Sequence, residues 1–500
     1  VIDGRAPVLV GAGQLTQRDV DPAAALEPVA MMAAVARGAA DDAGGGARLL
    51  AAVDTLAVVN VMSFPYGNAP RLVSERLGIH PARELTTTIG GNTPQFLVNE
   101  TAAAIAAGRC EVALLAGAEA VRTIGRARRA RVRLAWGGGE GAPEVVGDPR
   151  EGTSSYEIAH GLLLPTAIYP LFENAIRARR GSTLAEHARR LGSLCSRLAA
   201  VAAENPFAWF RDRRTAEEIA TVGPDNRMIG FPYPKLMNAV IDVDQAAGVI
   251  LTSADRARAL GIHPSRWVHV WGTAAAHDKW LVSERVDYTS SPAIRAAGRA
   301  ALDAAGVDVG AVDTLDLYSC FPSAVQIGRD MLGIAEDDPR PLTVTGGLPY
   351  FGGPANNYSM HAIATTIDRL RARPGSIGLV SALGWYLTKH AIGVYGSRPP
   401  DRPYAPVAST TLQPALDATP SPPLAIGAGG RATIETYTVL HDRDGSPMRG
   451  VVVVRLDDGR RALANTSGER TVLDALLAQE AIGLRGTLRT DGETNVFDVS

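Results

Sequence analysis

The tetrapeptide Val-Asp-Thr-Leu occurs twice, at 53–56 and at 312–315. Leu-Gly-Ile follows each copy, at 77–79 and at 332–334. Two matches in the same order, at nearly the same spacing, predict an internal duplication. The unit is far too long for a solenoid repeat, so the expectation is two related halves packed together. Each half opens alike. Residues 6–10 read as an apolar strand, Gly11-Ala12-Gly13 as a turn, and about 22–42 as an Ala-rich amphipathic helix. Residues 53–61 then read as a β-branched strand. The second copy gives a strand and turn at 268–272, a helix at 292–305 and a strand at 312–318. Strands alternating with helices predict a parallel α/β layer.

The first half continues through a short strand at 86–89, a turn at Gly90-Gly91, and a helix with Pro94 in its first turn. A buried strand follows at 111–117. Gly11-Ala12-Gly13 suggests a dinucleotide loop, but Thr16 stands at the third glycine position and no acid follows at the expected distance. A tight turn is the favoured reading. Residues 120–265 differ in character: arginines crowd the start, a Gly-rich loop follows, then helical stretches with aromatics. They read as an insertion lying over the α/β layer. Residues 397–424 have a linker composition, and alternating strands with an Asp-Asp-Gly hairpin turn close the chain. The expected domains are 1–120, an insertion at 121–265, 266–398, a linker at 399–424, and a small all-β barrel, OB-like, at 425–500.

Composition narrows the function classes. Hydrophobic residues make 46% and charged residues 20%, enough for a sizeable core and against wholesale disorder. A net charge of -2 argues against a nucleic-acid partner held by bulk positive charge. No apolar run is long enough to span a bilayer. Val1-Ile2-Asp3-Gly4-Arg5 lacks the basic-then-apolar order of a secretory signal. Three cysteines exclude a disulfide framework and a cysteine-rich zinc site. No metal site is expected, and the location expected is cytoplasmic.

Several stretches together resemble the thiolase superfamily across about residues 5–396, closest to the sterol-carrier-protein type and to actinobacterial thiolase-like proteins. They are residues 106–119, Asn205-Pro206-Phe207-Ala208-Trp209-Phe210, residues 244–251, and the loop Gly346-Gly347-Leu348-Pro349-Tyr350-Phe351-Gly352-Gly353-Pro354. The tail is similar to the extra domain of thiolase-like proteins. The resemblance implies a thiolase fold: two βαβαβαββ halves in five αβαβα layers, plus the barrel. It also implies a CoA thioester as ligand, no covalently bound cofactor, and a homodimer, or a monomer if the tail blocks that contact.

Thiolase chemistry uses a cysteine thiolate at a helix N-terminus, a second cysteine as proton handler, and oxyanion holes for the thioester oxygens. By the resemblance, the nucleophile falls at Gly91, the histidine of Gly-His-Pro at Gly353, and the C-terminal cysteine at Leu383. The motif carrying the other cysteine stands as Tyr318-Ser319-Cys320-Phe321. A similar Tyr-Asp-Cys-Phe occurs in thiolase-fold retro-aldolases of steroid side-chain degradation, where tyrosines serve as acid and base. The candidate catalytic residues are therefore Cys320, Tyr318, His390 and Asn92. Candidate substrate-binding residues are Gly91, Tyr350, Gly353, Asn356 and Tyr358. Each also has a plainer reading. Cys320 and Tyr318 fit core packing, Asn92 and Thr93 a helix cap, and His390 and His361 hydrogen-bonded interior histidines. Cys110 and Cys195 read as core residues, and the arginines at 126–133 as a solvated face. The leading reading is a thiolase-like thioester binder without ordinary thiolysis, capable of aldol- or Claisen-type carbon–carbon chemistry. A non-catalytic scaffold with the barrel as partner module and an acetyl-CoA acetyltransferase are the alternatives.

Overall fold

The computed structural model describes residues 3–499; Val1, Ile2 and Ser500 lie outside it, and with them part of the N-terminal pentapeptide. The first half contributes β1 (Pro7–Thr16), β2 (Thr55–Val58), β3 (Arg83–Thr87) and β4 (Val112–Ala120). The insertion supplies the short β5 (Glu144–Val146), β6 (Met228–Gly230) and β7 (Tyr233–Pro234). Next come β8 (Asp244–Ser253), β9 (Val268–His277), β10 (Thr314–Asp316), β11 (Ile377–Gly384) and β12 (Lys389–Gly396). Ten of these form one run in the order β10-β11-β12-β9-β1-β8-β4-β2-β3-β5. Within the sheet, the strands of the two halves pair through Val8↔His269 and Leu9↔Val268.

The duplication is plain in this order. Reading outward from the join, each half runs first strand, last strand, then inner strands: β1-β8-β4-β2 and β9-β12-β11-β10. β4 is parallel to β2 and β11 to β10, while β8 and β12 run antiparallel to their neighbours. The helix Pro28–Asp42 covers the outer face of one half, Pro292–Ala305 that of the other. The helices Thr93–Ala106 and Tyr358–Ala372 form the middle layer and touch strands of both halves. This is the expected thiolase α/β fold.

Three sequence expectations need correction. Gly11-Ala12-Gly13 does not turn, because β1 continues through it, with a register shift between Leu9 and Gly11. A Cβ on Gly11 would overlap the carbonyl oxygen of Ala39, and one on Gly13 that of Val35. These glycines let a helix backbone lie against the strand, so no nucleotide loop exists there. Gly272 does the same in the second half, against Ala301 O. The insertion ends before Asp244 rather than near 265, since β8 is an interior strand of the first half. The linker is not featureless: Ser409–Asp417 is a helix.

The tail adds β13 (Gly430–His441), β14 (Pro447–Leu456), β15 (Arg461–Thr466), β16 (Arg485–Asp491) and β17 (Thr494–Val499). Their order β14-β15-β17-β16-β13 closes through β13–β14 pairing. The helix Arg470–Ala478 lies between β15 and β16, and β15 runs parallel to β17. The tail is thus a small five-stranded barrel, as the sequence suggested. β6 of the insertion pairs with β13, so the barrel is stitched to it. Two side-chain contacts reinforce the seam. Asn174 Nδ2 donates to Phe231 O and Tyr437 O. Arg461, fully buried, pairs with Glu435 and donates to Ser283 O and Arg285 O.

Candidate functional site

The loop after β3 delivers Gly90, Gly91 and Asn92 to the N-terminus of the helix Thr93–Ala106. Thr93 Oγ1 donates to Gly90 O at 2.8 Å, and Pro94 sits in the first turn. The second half clamps this turn. Gly90 N donates to Asn356 Oδ1 at 2.9 Å, and Ser359 Oγ donates to Gly91 O at 2.8 Å. Asn356 Nδ2 reaches on to Asn60 O. A Cβ on Gly91 would overlap the Tyr318 hydroxyl and come within 2.6 Å of Leu383 O. The tyrosine hydroxyl thus occupies the space where a side chain at 91 would begin.

Tyr318 follows β10 and is fixed by its N–H donating to Ser381 Oγ. Its ring meets Tyr358 edge-on, centroids 5.5 Å apart. Tyr358 Oη lies 2.6 Å from Thr345 Oγ1, which lies 3.1 Å from Thr343 Oγ1. Thr343 donates to Asp316 Oδ2 at 2.8 Å. With that proton committed to Asp316, Thr345 donates to Thr343 and Tyr358 to Thr345. Ser319 Oγ, 3.2 Å from Tyr358 Oη, then donates to it. Burial raises Asp316 to about 7. Burial, with Cys320 and Tyr358 alongside, raises Tyr318 well above the ordinary phenol range, so its proton is held.

Cys320 is buried beside the Tyr169 hydroxyl, and desolvation pushes its thiol up to about 12. Cys110 and Cys195 are pushed to about the same value for the same reason. None of the three is an activated thiol. His390 joins a buried polar group. Its Nε2 lies 3.0 Å from Leu387 O and 3.4 Å from both Ser291 Oγ and Asp278 Oδ2. Burial alone would raise Asp278, but His390, Arg285 and Ser291 hold it below its usual range.

Tyr318 and His390 line a shared void of about 10 Å³, room for one water. Asn92 faces a cleft of about 300 Å³, which His390 also lines and which the helix Ser409–Asp417 closes on one side. Its side chain makes no cap bond, and its Oδ1 is buried without a partner. Tyr350 and Gly353 are tied to the insertion. Tyr350 Oη donates to Leu236 O, and Gly353 N to Val240 O. His361 pairs through Nδ1 with Gln14 Oε1, and burial lowers it to about 3. The sequence candidates thus divide among a central void, a side cleft and the insertion seam. Sequence reasoning passed over Asp316 and Lys389. Lys389 had a signal, being one of three lysines in a chain with 50 basic residues.

Among the described residues, no helix is long and apolar enough to cross a membrane, and no cluster of metal-ligating side chains occurs. The fold and the tied N-terminal turn define a thiolase-type protein with an appended barrel. A family model of the thiolase-like protein type 1 additional C-terminal domain matches residues 411–493. A monomeric SCP2-thiolase like protein type 1 (STLP1) from Mycobacterium smegmatis is 35% identical, covers 100% of both chains and superposes with a TM-score of 0.86. The chain belongs to the SCP2-thiolase-like proteins of type 1. The Ltp2-ChsH2(DUF35) aldolase shares the fold, with a TM-score of 0.60 at 20% identity over 80% of this chain and 99% of its own. The 3-ketoacyl-CoA thiolase of Erwinia tasmaniensis is 29% identical over 153 residues, 28% of this chain. The match spans 33% of that relative's length, and 43% of the length of a Salmonella paratyphi A counterpart.

Proposed function

We propose that this protein binds a CoA thioester on a thiolase-type scaffold without taking the acyl group onto a cysteine. The observation that carries the reading is the Tyr318 hydroxyl over Gly91. A nucleophilic side chain at that point has neither a residue nor a space to hold it. The same observation stands against an acetyltransferase working through an acyl-enzyme. Family membership supports the thioester as ligand and an acyl-transfer ancestry for the site. The reading keeps the chain in the cytoplasm, where CoA thioesters are made and used. It also takes the protein as a monomer, because β5 pairs along β3 and covers the edge of the sheet.

A second reading has its own support. The chain of hydroxyls from Asp316 through Thr343 and Thr345 to Tyr358 ends against Tyr318. Tyr318, holding its proton, would donate to an enolate oxygen in aldol- or Claisen-type chemistry. Cys320 would handle the second proton only after a ligand displaced the packing around the void.

The test is calorimetric titration with CoA and a panel of acyl-CoAs of increasing length, on the wild type and on Cys320→Ala. Saturable binding by both supports the reading. Absence of binding across the panel overturns it and leaves a scaffold whose barrel engages a protein partner.

A further inference from the structure

Lys389 opens β12 directly opposite Gly384. Its stem is buried, and its Nζ donates to Ile89 O at 2.6 Å. It lines the cleft of about 300 Å³ together with Thr88, Asn92, Phe96, His277 and Trp280. Two residues that line this cleft carry a buried oxygen without a partner, Asn92 Oδ1 and Thr88 Oγ1. Asn92 is only 7% exposed, so its amide oxygen has little access to bulk water. The amine and the amide oxygen stand together. A Cβ on Gly90 would lie 3.0 Å from Lys389 Nζ and overlap Asn92 Oδ1. A Cβ on Gly384 would overlap the same oxygen and come within 3.1 Å of Lys389 Cε. Two glycines therefore make room for one amine and one orphaned oxygen at the head of a cleft.

Phe96, Ala275, Ala276 and Trp280 form the apolar part of the wall, and Thr93, Ser409, Thr410 and Gln413 add uncharged polar side chains. The charges at the rim are already matched, with Arg150 paired to Asp148 and laid over Trp280 at 3.8 Å. His277 Nε2 lies 3.3 Å from Arg150, and His390 is bound to Asp278. We infer that Lys389 is a carbonyl-capturing amine, and that the cleft takes a small, uncharged aldehyde or ketone. The reaction is imine formation. The free amine attacks the carbonyl carbon, a C–N bond forms, and the oxygen takes a proton to give a carbinolamine. Loss of that oxygen as water, carrying off both amine protons, leaves the C=N bond. No oxidant, metal or further co-reactant is needed.

Two facts support the choice of lysine. An arginine here would stay charged at any ordinary pH, whereas an amine can lose its proton. Burial lowers Lys389 to about 8, with Asp148 pulling upward and Arg150 downward. At pH 8 the free-amine fraction is then on the order of a hundredfold above that of an unperturbed lysine. The inference does not depend on thioester binding, and its test reads neither.

The full-length folded protein is exposed to propanal at pH 8 with borohydride, which reduces any imine to a stable propylamine, and the adducts are mapped by peptide mass spectrometry. Lys235 is exposed and Lys279 Nζ donates to Asp417 O, so the other two lysines serve as internal references. The expected result is propylation of Lys389 at least about tenfold faster than of Lys235, with the difference vanishing in urea. Lys389→Arg should lose the fast adduct while keeping the charge. Labelling of Lys389 no faster than Lys235, or only after unfolding, overturns the inference.

Discussion

A hydroxyl over a glycine decides what the N-terminus of the helix Thr93–Ala106 offers a ligand. Such an end would depress the pKa of a thiol placed on it, yet residue 91 has no side chain and Tyr318 fills the space. Gly91→Cys is therefore expected to lose about 1–3 kcal/mol of stability by overpacking, measured by chemical denaturation, and to gain no acyl transfer. A variant as stable as the wild type would show that Tyr318 moves aside freely. Asp316 gives a second prediction. Burial raises it to about 7 in the folded chain, against an ordinary value of 3.8. The stability this protonation supports is full below about 4 and is lost as pH rises toward 7. Asp316→Asn, neutral throughout, should gain on the wild type between pH 5 and pH 8 in thermal melts. An unchanged difference between the two pH values would contradict the raised pKa. Tyr318 and Gly91, which the structure brings into contact, could be singled out in the sequence because they sit on motif positions. Asp316 could not, since an acid in an apolar run reads only as strand until its threonine partners are placed beside it.

At the scale of elements, the glycines show where pattern reading stops. A Gly-Ala-Gly after an apolar run looks like a turn, whereas here the lost side chains admit a helix packed across the strand. That cause lies twenty or more residues away and leaves no local trace. Gly272→Ala should cost about 1–3 kcal/mol, because its Cβ meets the main-chain oxygen of Ala301, which cannot rotate away. Equal urea midpoints for variant and wild type would refute that packing account. The duplicated halves, the barrel and the first middle helix were readable, since each rests on periodicity, on a repeated peptide or on a proline in the first turn. The edge cap β5 and the Ser409–Asp417 helix over the side cleft were not, because neither has enough apolar residues to announce itself.

For the whole molecule, the barrel is a structural part of the α/β body rather than a hanging module. Arg461 reaches from β15 to the carbonyls of Ser283 and Arg285 while paired with Glu435. Arg455 would still pair with Glu435, but the carbonyls of Ser283 and Arg285 would lose their buried donor, and Arg461→Ala should cost about 1–3 kcal/mol. Calorimetry should then show a lowered transition or a barrel that melts first; an unchanged melt would mean the barrel docks without it. The central claim is that a bound thioester is held without acyl transfer to cysteine. Its most direct test is intact-mass spectrometry of the protein after incubation with acetyl-CoA, and of acetoacetyl-CoA with added CoA for thiolysis products. The account predicts no acetyl adduct on any cysteine and no acetyl-CoA formed from acetoacetyl-CoA. An acetylated Cys110, Cys195 or Cys320, or turnover by thiolysis, would contradict it.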